Sequence, residues 1–597
     1  PIVSTTLVLL SVFVPTTFLP GITGQLYQQF AITISTALVL SSVVALTLSP
    51  ALCATILKQP SAAHGPLRYF AHGLDRARAQ YGVVAAWLIR RVAVVFGILA
   101  TTFAAAMVVF SMLPSTFLPD EDQGALFIDV QLPEAASLER TEAVLDRVRT
   151  IVEDMPGVAE MISVGGFSLM QGTVAPNGGL AIATLEPWAE RRTAAESVPA
   201  LLARLRQEFA AIPEANIAAF APPPIPGIGA MGGFDLRLQA QRGQSPEDLA
   251  QIVQAFVAEA NRHPAIAMAY SAFSADVPQI FVDVDRDRAE MLGVALGQTY
   301  ATIGAFMGSR YVNDFVRGGR AYQVNLQGDV AWRAQPEDVL ALHVRNRDGR
   351  MVPLRTFVHL DTVFGPYVLS RHNLYTAAQV SGQAAPGASS GGALAALEET
   401  AQAVLPDGYG YAWSGLSFQE RRAGGEAIMV FALALLFAYL FLVAQYESWM
   451  IPVAILLSLG VAAFGATAAL WVAGLENSIY AQIGIVLLIA LASKNAILIV
   501  EFARTERQAG LPIVEAATEG AKQRFRAVLM TAFSFIGGIM PLVLATGAGA
   551  NARQAIGVTV LGGMLAATLI GLLLIPAIYA AVQRLTEHVS GERKARS

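Results

Sequence analysis

The sequence predicts a polytopic α-helical membrane protein with a large extramembrane α+β region built from small split βαβ (ferredoxin-like) units. Three observations predict it. Of the 597 residues, 54% are hydrophobic and 14% charged, and the mean hydropathy of +0.51 lies outside the range of ordinary soluble chains. Apolar runs of about 20 residues, enough to cross ~30 Å of hydrocarbon as helix, gather in two clusters. Between the clusters lie about 300 residues of ordinary soluble composition, in which strand and helix periods alternate.

The first cluster holds runs at residues 1–20, 30–57 and 92–113, and the second at 427–444, 451–474, 481–502, 527–545 and 555–582. Pro1 stands inside an apolar run without an initiator methionine or signal-peptide charges, so the N-terminus reads as a cut edge. The single cysteine, Cys53, follows an apolar run and is expected to pack between helices. Lys and Arg are retained on the cytoplasmic side. They populate the connection 58–91 (Lys58, Arg68, Arg76, Arg78, Arg90, Arg91), the one after Phe502 (Arg504, Arg507, Lys522, Arg524, Arg526) and the tail 584–597. Counting crossings from there puts the large insert on the opposite, periplasmic side.

Within the insert, "ALFIDVQL" from Ala125 alternates as a strand, and "SLERTEAVLDRVRTIVEDM" from Ser137 carries a Ser N-cap and apolar residues at helical spacing. "GLAIATLEPW" reads as a strand, "VPALLARLRQEFAAI" as a helix and "GFDLRLQA" as a strand; a second round of the same kind follows. Repeated units of this size suggest small split βαβ sandwiches, and the length allows two or three.

Lys494 sits in "LIALASKNAILIVEF", near the middle of a membrane run, where a charge is costly. Three accounts are open: snorkelling to an interface, which the depth disfavours, structural hydrogen bonding within the bundle, or an ion-coupling relay. A buried cation needs a carboxylate or loses its proton. Glu501 is the one acid well inside a run, about 10 Å along the same helix. The partner is therefore expected on a helix outside this chain or on another subunit. In "RFRAVLMTAFSF", Arg524 and Arg526 mark a cytoplasmic entrance, and Thr531 lies about 10 Å deeper, with an intrahelical bond as its alternative role.

The stretch 163–179, with five glycines, interrupts the strand pattern and exposes Phe167, Leu169 and Met170; it is either an irregular surface loop or a flexible one presenting these apolar contacts to a greasy ligand. The stretch 220–234 is its stiff, Pro-rich companion. The formal net charge of −5 gives no basic field for nucleic acid. No phosphate-binding loop, HExxH or Cys/His cluster argues for an ATP motor or a metalloenzyme, so no cofactor is expected. Met170, Met231 and Met268 are too scattered along the chain to suggest a metal route.

Six segments together resemble the resistance-nodulation-division multidrug efflux pumps of the hydrophobe/amphiphile branch: "FLPDEDQG", "GSRYVNDFVRGGR", "GQAAPG", "YESW", "SKNAILIVEFA" and "PLVLATGAGANARQAIG". The resemblance implies the C-terminal part of a pump of about twelve membrane helices, a secondary transporter rather than an enzyme. Residues 1–57 would hold helices five (clipped) and six, 58–91 a cytoplasmic connection, 92–120 helix seven, 417–583 helices eight to twelve and 584–597 the tail. Residues 121–225 would form one porter subdomain, 226–275 with 367–416 a second, and 276–366 an inserted docking subdomain. It further implies a homotrimer in the Gram-negative inner membrane, surrounded by lipid, with the pump's N-terminal half, a periplasmic adaptor and an outer-membrane channel as partners. The resemblance implies as well that protons drive the export of drugs or other amphiphiles. Lys494, Asn495, Arg524 and Thr531 match the family's proton relay, whose aspartates lie on a helix this chain does not contain. Asp120, Ile162, Val164, Phe167, Leu169, Ile182 and Phe220 match its substrate route. Ile162, Leu169 and Ile182 replace phenylalanines, and the Gly-rich stretch is two residues longer than the pattern. A lipid or metal exporter of the same superfamily, or a non-transporting structural or regulatory subunit, are the alternatives.

Overall fold

The computed structural model describes residues 2–18, 20–57, 66–229 and 231–596. Pro1 and Lys58, with the connection up to residue 65, lie outside the described residues. Helix α1 (Ile2–Phe13) is followed by α2 (Gly21–Leu46) and α3 (Leu48–Ile56), which together make one apolar span of 36 residues. Cys53 lies exposed on α3 instead of packing between helices. A membrane helix can turn an apolar side chain to lipid as readily as to a neighbour. The connection expected to be cytoplasmic is itself largely a helix, α4 (Pro66–Arg90). Tyr81 stacks on Phe525 at 4.7 Å and donates to the Leu572 carbonyl at 2.9 Å, which ties α4 to the second helix cluster. Helix α5 (Val92–Met112) then leads out of the membrane region.

The first extramembrane unit runs β1 (Ala125–Gln131), α6 (Leu138–Glu153), β2 (Val158–Ser168), β3 (Thr173–Leu185), α7 (Val198–Phe209) and β4 (Asn216–Phe220). Its sheet is antiparallel in the order β2-β3-β1-β4. Ser137 caps α6 by accepting the Arg140 N–H. Alternation in β1 sends Leu126, Ile128 and Val130 to the helix side, where Val144, Val148, Val152, Leu201 and Leu205 close the core. Each such buried side chain contributes about 1.5–3 kcal/mol.

The second unit begins with β5 (Phe234–Ala240), α8 (Pro246–Ala260) and β6 (Ile266–Tyr270). An insertion follows: β7 (Val277–Val284), α9 (Arg286–Met291), α10 (Leu296–Ile303), β8 (Arg310–Arg317), β9 (Arg320–Leu326), α11 (Asp338–Ala341), β10 (His343–Arg345), β11 (Met351–Pro353) and β12 (Val358–Gly365). Strand β12 returns antiparallel to β7, while every residue of the β8–β9 hairpin is exposed. The unit closes with β13 (Ser370–His372), β14 (Tyr375–Ala384), α12 (Ser390–Val404) and β15 (Tyr409–Trp413). Strand β14 lies between β5 and β6, and β15 flanks β5 on its other side, the strand order of the first unit repeated. Close approach here requires glycine: a Cβ on Gly382 would meet the Met268 carbonyl oxygen at 2.0 Å.

Helices α13 (Gly415–Tyr446), α14 (Ile451–Val472), α15 (Ile479–Gln508), α16 (Ile513–Val543), α17 (Ala550–Ala566) and α18 (Leu572–Arg596) complete the bundle. Seven described helical spans are long and apolar enough to cross a membrane, with a shorter apolar helix near the N-terminus. This is a multi-pass membrane protein. Helix α15 is its centre: 72% of its apolar stretch is buried, against 6% for Gly21–Ile56.

The Gly-rich stretch 163–179 is more ordered than its composition suggested. Strands β2 and β3 run through it as a hairpin, with a bulge at Gly166 (φ +80°) and only residues 169–172 left as a turn. The paired backbone absorbs the glycines because each strand still satisfies the other's N–H and C=O groups. Met170, expected to be exposed, is buried.

Candidate functional site

The face of the first sheet turned away from its helices carries most of the expected substrate-route residues. Register aligns Ile162 with Ile182, Ile182 with Phe127 and Phe127 with Phe220, one row across all four strands. The next row on that face runs Val164, Leu180, Asp129 and Ala218. The rows grade from open to closed: Ile162 is 65% exposed, whereas Phe220 is fully buried, edge-on to Phe127 at 6.3 Å. The closed end is roofed by residues of the turn and the second unit. Tyr270 donates its hydroxyl toward Met170 Sδ (2.8 Å) and Met231 Sδ (3.1 Å), with Leu169 and Met268 packed beside them. The three methionines that looked scattered in the sequence thus share one cluster. Phe167 stands on β2 opposite Val174, near the hairpin tip and half-buried.

A cleft of roughly 640 Å³ opens between the two units and the membrane helices. Asp120, Glu121, Glu420 and Glu476 line it. Glu121 accepts the N–H of Ala552 at 2.6 Å at the start of α17, and Asn551 donates to the Asp120 carbonyl at 2.5 Å. Burial, with Glu476 and Asp120 nearby, pushes the Glu420 carboxyl up to about 7, although Ser390 donates to it. Burial also raises Asp120, and Glu476 is raised by burial and then by Asp120. Asp120 is thereby grouped with acids rather than with the apolar face.

In the bundle, Lys494 lies midway along α15, half-buried, with no hydrogen-bond or ion-pair partner among the described residues. The neighbouring Asn495 is buried, and its Nδ2 is unpaired among the described residues. Helices α15 and α16 touch at Gly520, where a Cβ would lie 2.5 Å from the Ala503 nitrogen. From that contact Thr531 rises about 16 Å along α16 and Lys494 about 14 Å along the antiparallel α15, so the two reach similar depth. They are not joined by a bond. Thr531 faces outward and donates to the Val528 carbonyl at 2.9 Å and the Ala527 carbonyl at 3.1 Å, the intrahelical alternative. Arg524 lies nearer the helix start, its guanidinium 3.7 Å from the Phe502 ring centre.

The AcrB/AcrD/AcrF family model matches residues 1–583 of the chain. The chain belongs to the AcrB/AcrD/AcrF family. It is 37% identical to the multidrug export protein AcrF of Escherichia coli over 592 residues, 98% of this chain and 57% of AcrF. It is 37% identical to the toluene efflux pump membrane transporter TtgB of Pseudomonas putida, covering 98% of this chain and 56% of TtgB. With the solvent-resistant pump membrane transporter SrpB of Pseudomonas putida it shares 38% identity over 97% of this chain and 56% of SrpB. The chain spans about half the length of the curated relatives it matches.

For a member of this family, Phe127 and Asp129 are the residues the sequence reading missed. The signal was present in β1: alternation that buries Leu126, Ile128 and Val130 against helices must turn Phe127 and Asp129 to the other face. Asp129 is 4% exposed. Burial pushes its carboxyl up to about 6, against the opposing pull of N–H bonds from Leu169 and Met170.

Proposed function

We propose that this chain works in a proton-driven efflux transporter of the Gram-negative inner membrane that exports drugs or other amphiphiles from the periplasm and outer leaflet. It is a secondary transporter with no cofactor; the proton gradient supplies the energy. Residues 121–225, and 226–275 with 367–416, act as porter subdomains, and 276–366 as a docking subdomain. Its partners are two further copies in a homotrimer, the N-terminal half of the pump, a periplasmic adaptor, an outer-membrane channel and the surrounding lipid. The apolar sheet face from Ile162 to Phe220 takes the substrate, and the acid-lined cleft at Asp120 favours cationic amphiphiles as they approach.

The observation that carries this reading is Lys494, a cation at mid-depth of the most enclosed helix without a described carboxylate. Such a residue is stable only beside a charged or proton-exchanging partner, here carboxylates on helices outside the described residues. Ionised, they hold Lys494 through charge-assisted hydrogen bonds; protonated, they release it toward Asn495 and Thr531, and the helices shift. Lys494→Ala in the complete pump should abolish drug resistance while trimers still assemble. Resistance retained at the wild-type level would refute the relay.

The methionine cluster supports a second reading, export of a soft metal ion such as Cu(I), since thioethers select soft cations. Met170→Leu with Met231→Leu separates the two. Loss of silver tolerance with drug export intact favours the metal, and the reverse favours the amphiphile.

A further inference from the structure

Asp129, in the second row of the apolar face, and the tip of the β2–β3 hairpin form a junction to which the relay gives no role. The Asp129 Oδ1 accepts the Leu169 N–H at 3.1 Å, and the Met170 N–H also bonds the carboxylate. The same tip reaches the second unit by three contacts. Gln171 Nε2 donates to the Ala272 carbonyl at 2.7 Å, the Tyr367 hydroxyl to the Val174 carbonyl at 3.1 Å, and the Tyr270 hydroxyl to Met170 Sδ. One buried carboxylate therefore anchors the base of the only described turn in the hairpin, and the turn bridges the two units beside a small cavity of about 80 Å³.

We propose that Asp129 is a positioning residue for this hairpin: its carboxylate clamps the Leu169–Met170 backbone under the apolar face, and protonation loosens both the clamp and the bridge to the second unit. Charge-assisted bonds are roughly twice as strong as neutral ones, so a neutral Asp129 holds the turn more weakly. The carboxyl, pushed up to about 6 by burial, changes state within a moderately acidic range. Three titratable groups stand nearby. Tyr270, raised by burial and then by Asp129 and Asp235, stays a neutral phenol, whereas Asp235, paired with Arg237 at 3.5 Å, and Glu134, which accepts from Asn177 at 3.2 Å, are also raised by burial, so the Asp129→Asn comparison is what assigns the pH response to Asp129. A protonation that frees the hairpin would let Met170 and Leu169 withdraw from the roof, opening the closed end of the apolar row. The inference rests on the export reading only for that consequence; the clamp itself follows from the backbone geometry.

Amide hydrogen exchange of the hairpin tip in the complete pump tests it, with rates corrected for the intrinsic effect of pH. The wild type should exchange at Leu169 and Met170 about tenfold faster at pH 5 than at pH 7.5. Asp129→Asn, which keeps one acceptor oxygen and carries no charge, should show no such pH dependence. Equal wild-type protection at both pH values overturns the proposal, and so does a pH response that survives in Asp129→Asn. A pump that exports nothing yet keeps the wild-type response and loses it in Asp129→Asn supports the clamp and refutes the export reading.

Discussion

The Arg524 guanidinium lies 3.7 Å from the centre of the Phe502 ring, joining the first half of α16 to the last two turns of α15. Its Nε is buried without a hydrogen-bond partner among the described residues, so the ring face is its principal contact. Arg524→Lys keeps the charge and loses the planar stack. It should lower the stability of the purified protein by about 0.5–1 kcal/mol, read as a fall in melting temperature, and Phe502→Leu should produce the same fall. If the Arg524→Lys and Phe502→Leu effects add fully in the double variant, the two residues do not interact.

The graded row across the first sheet separates packing from recognition. Phe220 is fully buried, and Phe220→Ala should cost about 3–5 kcal/mol and reduce the amount of folded protein. Ile162 is 65% exposed on the same row, and Ile162→Ala should change stability by less than about 0.5 kcal/mol. Its effect should appear as altered ratios of resistance among several drugs at equal expression. A uniform change for every drug would place Ile162 outside the substrate route.

Glu420 in the acid-lined cleft predicts a pH dependence of known sign. Its folded-state carboxyl is raised from the ordinary 4.5 to about 7, chiefly by burial and then by Glu476 and Asp120, against the pull of Ser390 and Arg421. A raised carboxyl contributes its full stability below the unfolded-state value, and this is lost as pH rises through about 7. Glu420→Gln should therefore melt close to wild type at pH 4.5 and above it at pH 8. A variant that melts below wild type at pH 8 would show that the ionised carboxylate is stabilising and the sign is wrong.

Much of the helical part was legible because hydropathy is a local property. The apolar runs became helical, although 30–57 is divided between α2 and α3 and 555–582 between α17 and α18, and the central run around Lys494 extends only a few residues further than its apolar limits, to Ile479 and Gln508. Strand alternation in "ALFIDVQL" was equally readable, since period two is written in adjacent residues. The connection after residue 57 was read by its charges alone, and its amphipathic helix α4 escaped notice because arginines dilute the apolar face that seats Tyr81 on Phe525. Glycine content misled in the hairpin at 163–179, where pairing with the facing strand outweighed the local freedom of the backbone.

Taken alone, the amino-acid order determined the membrane spans, the alternation of strands and helices, and the anomaly of a lysine in mid-membrane. Those features depend on neighbours a few residues apart. Tertiary structure alone decided that Met170, Met231 and Met268 meet around Tyr270, and that Phe127 joins Ile162 and Phe220 in one row. It also decided that Asp129 is buried beneath a turn whose backbone it holds. Strand order brings together residues that lie far apart in the chain, and burial follows from what that order stacks above each face, which no local pattern encodes.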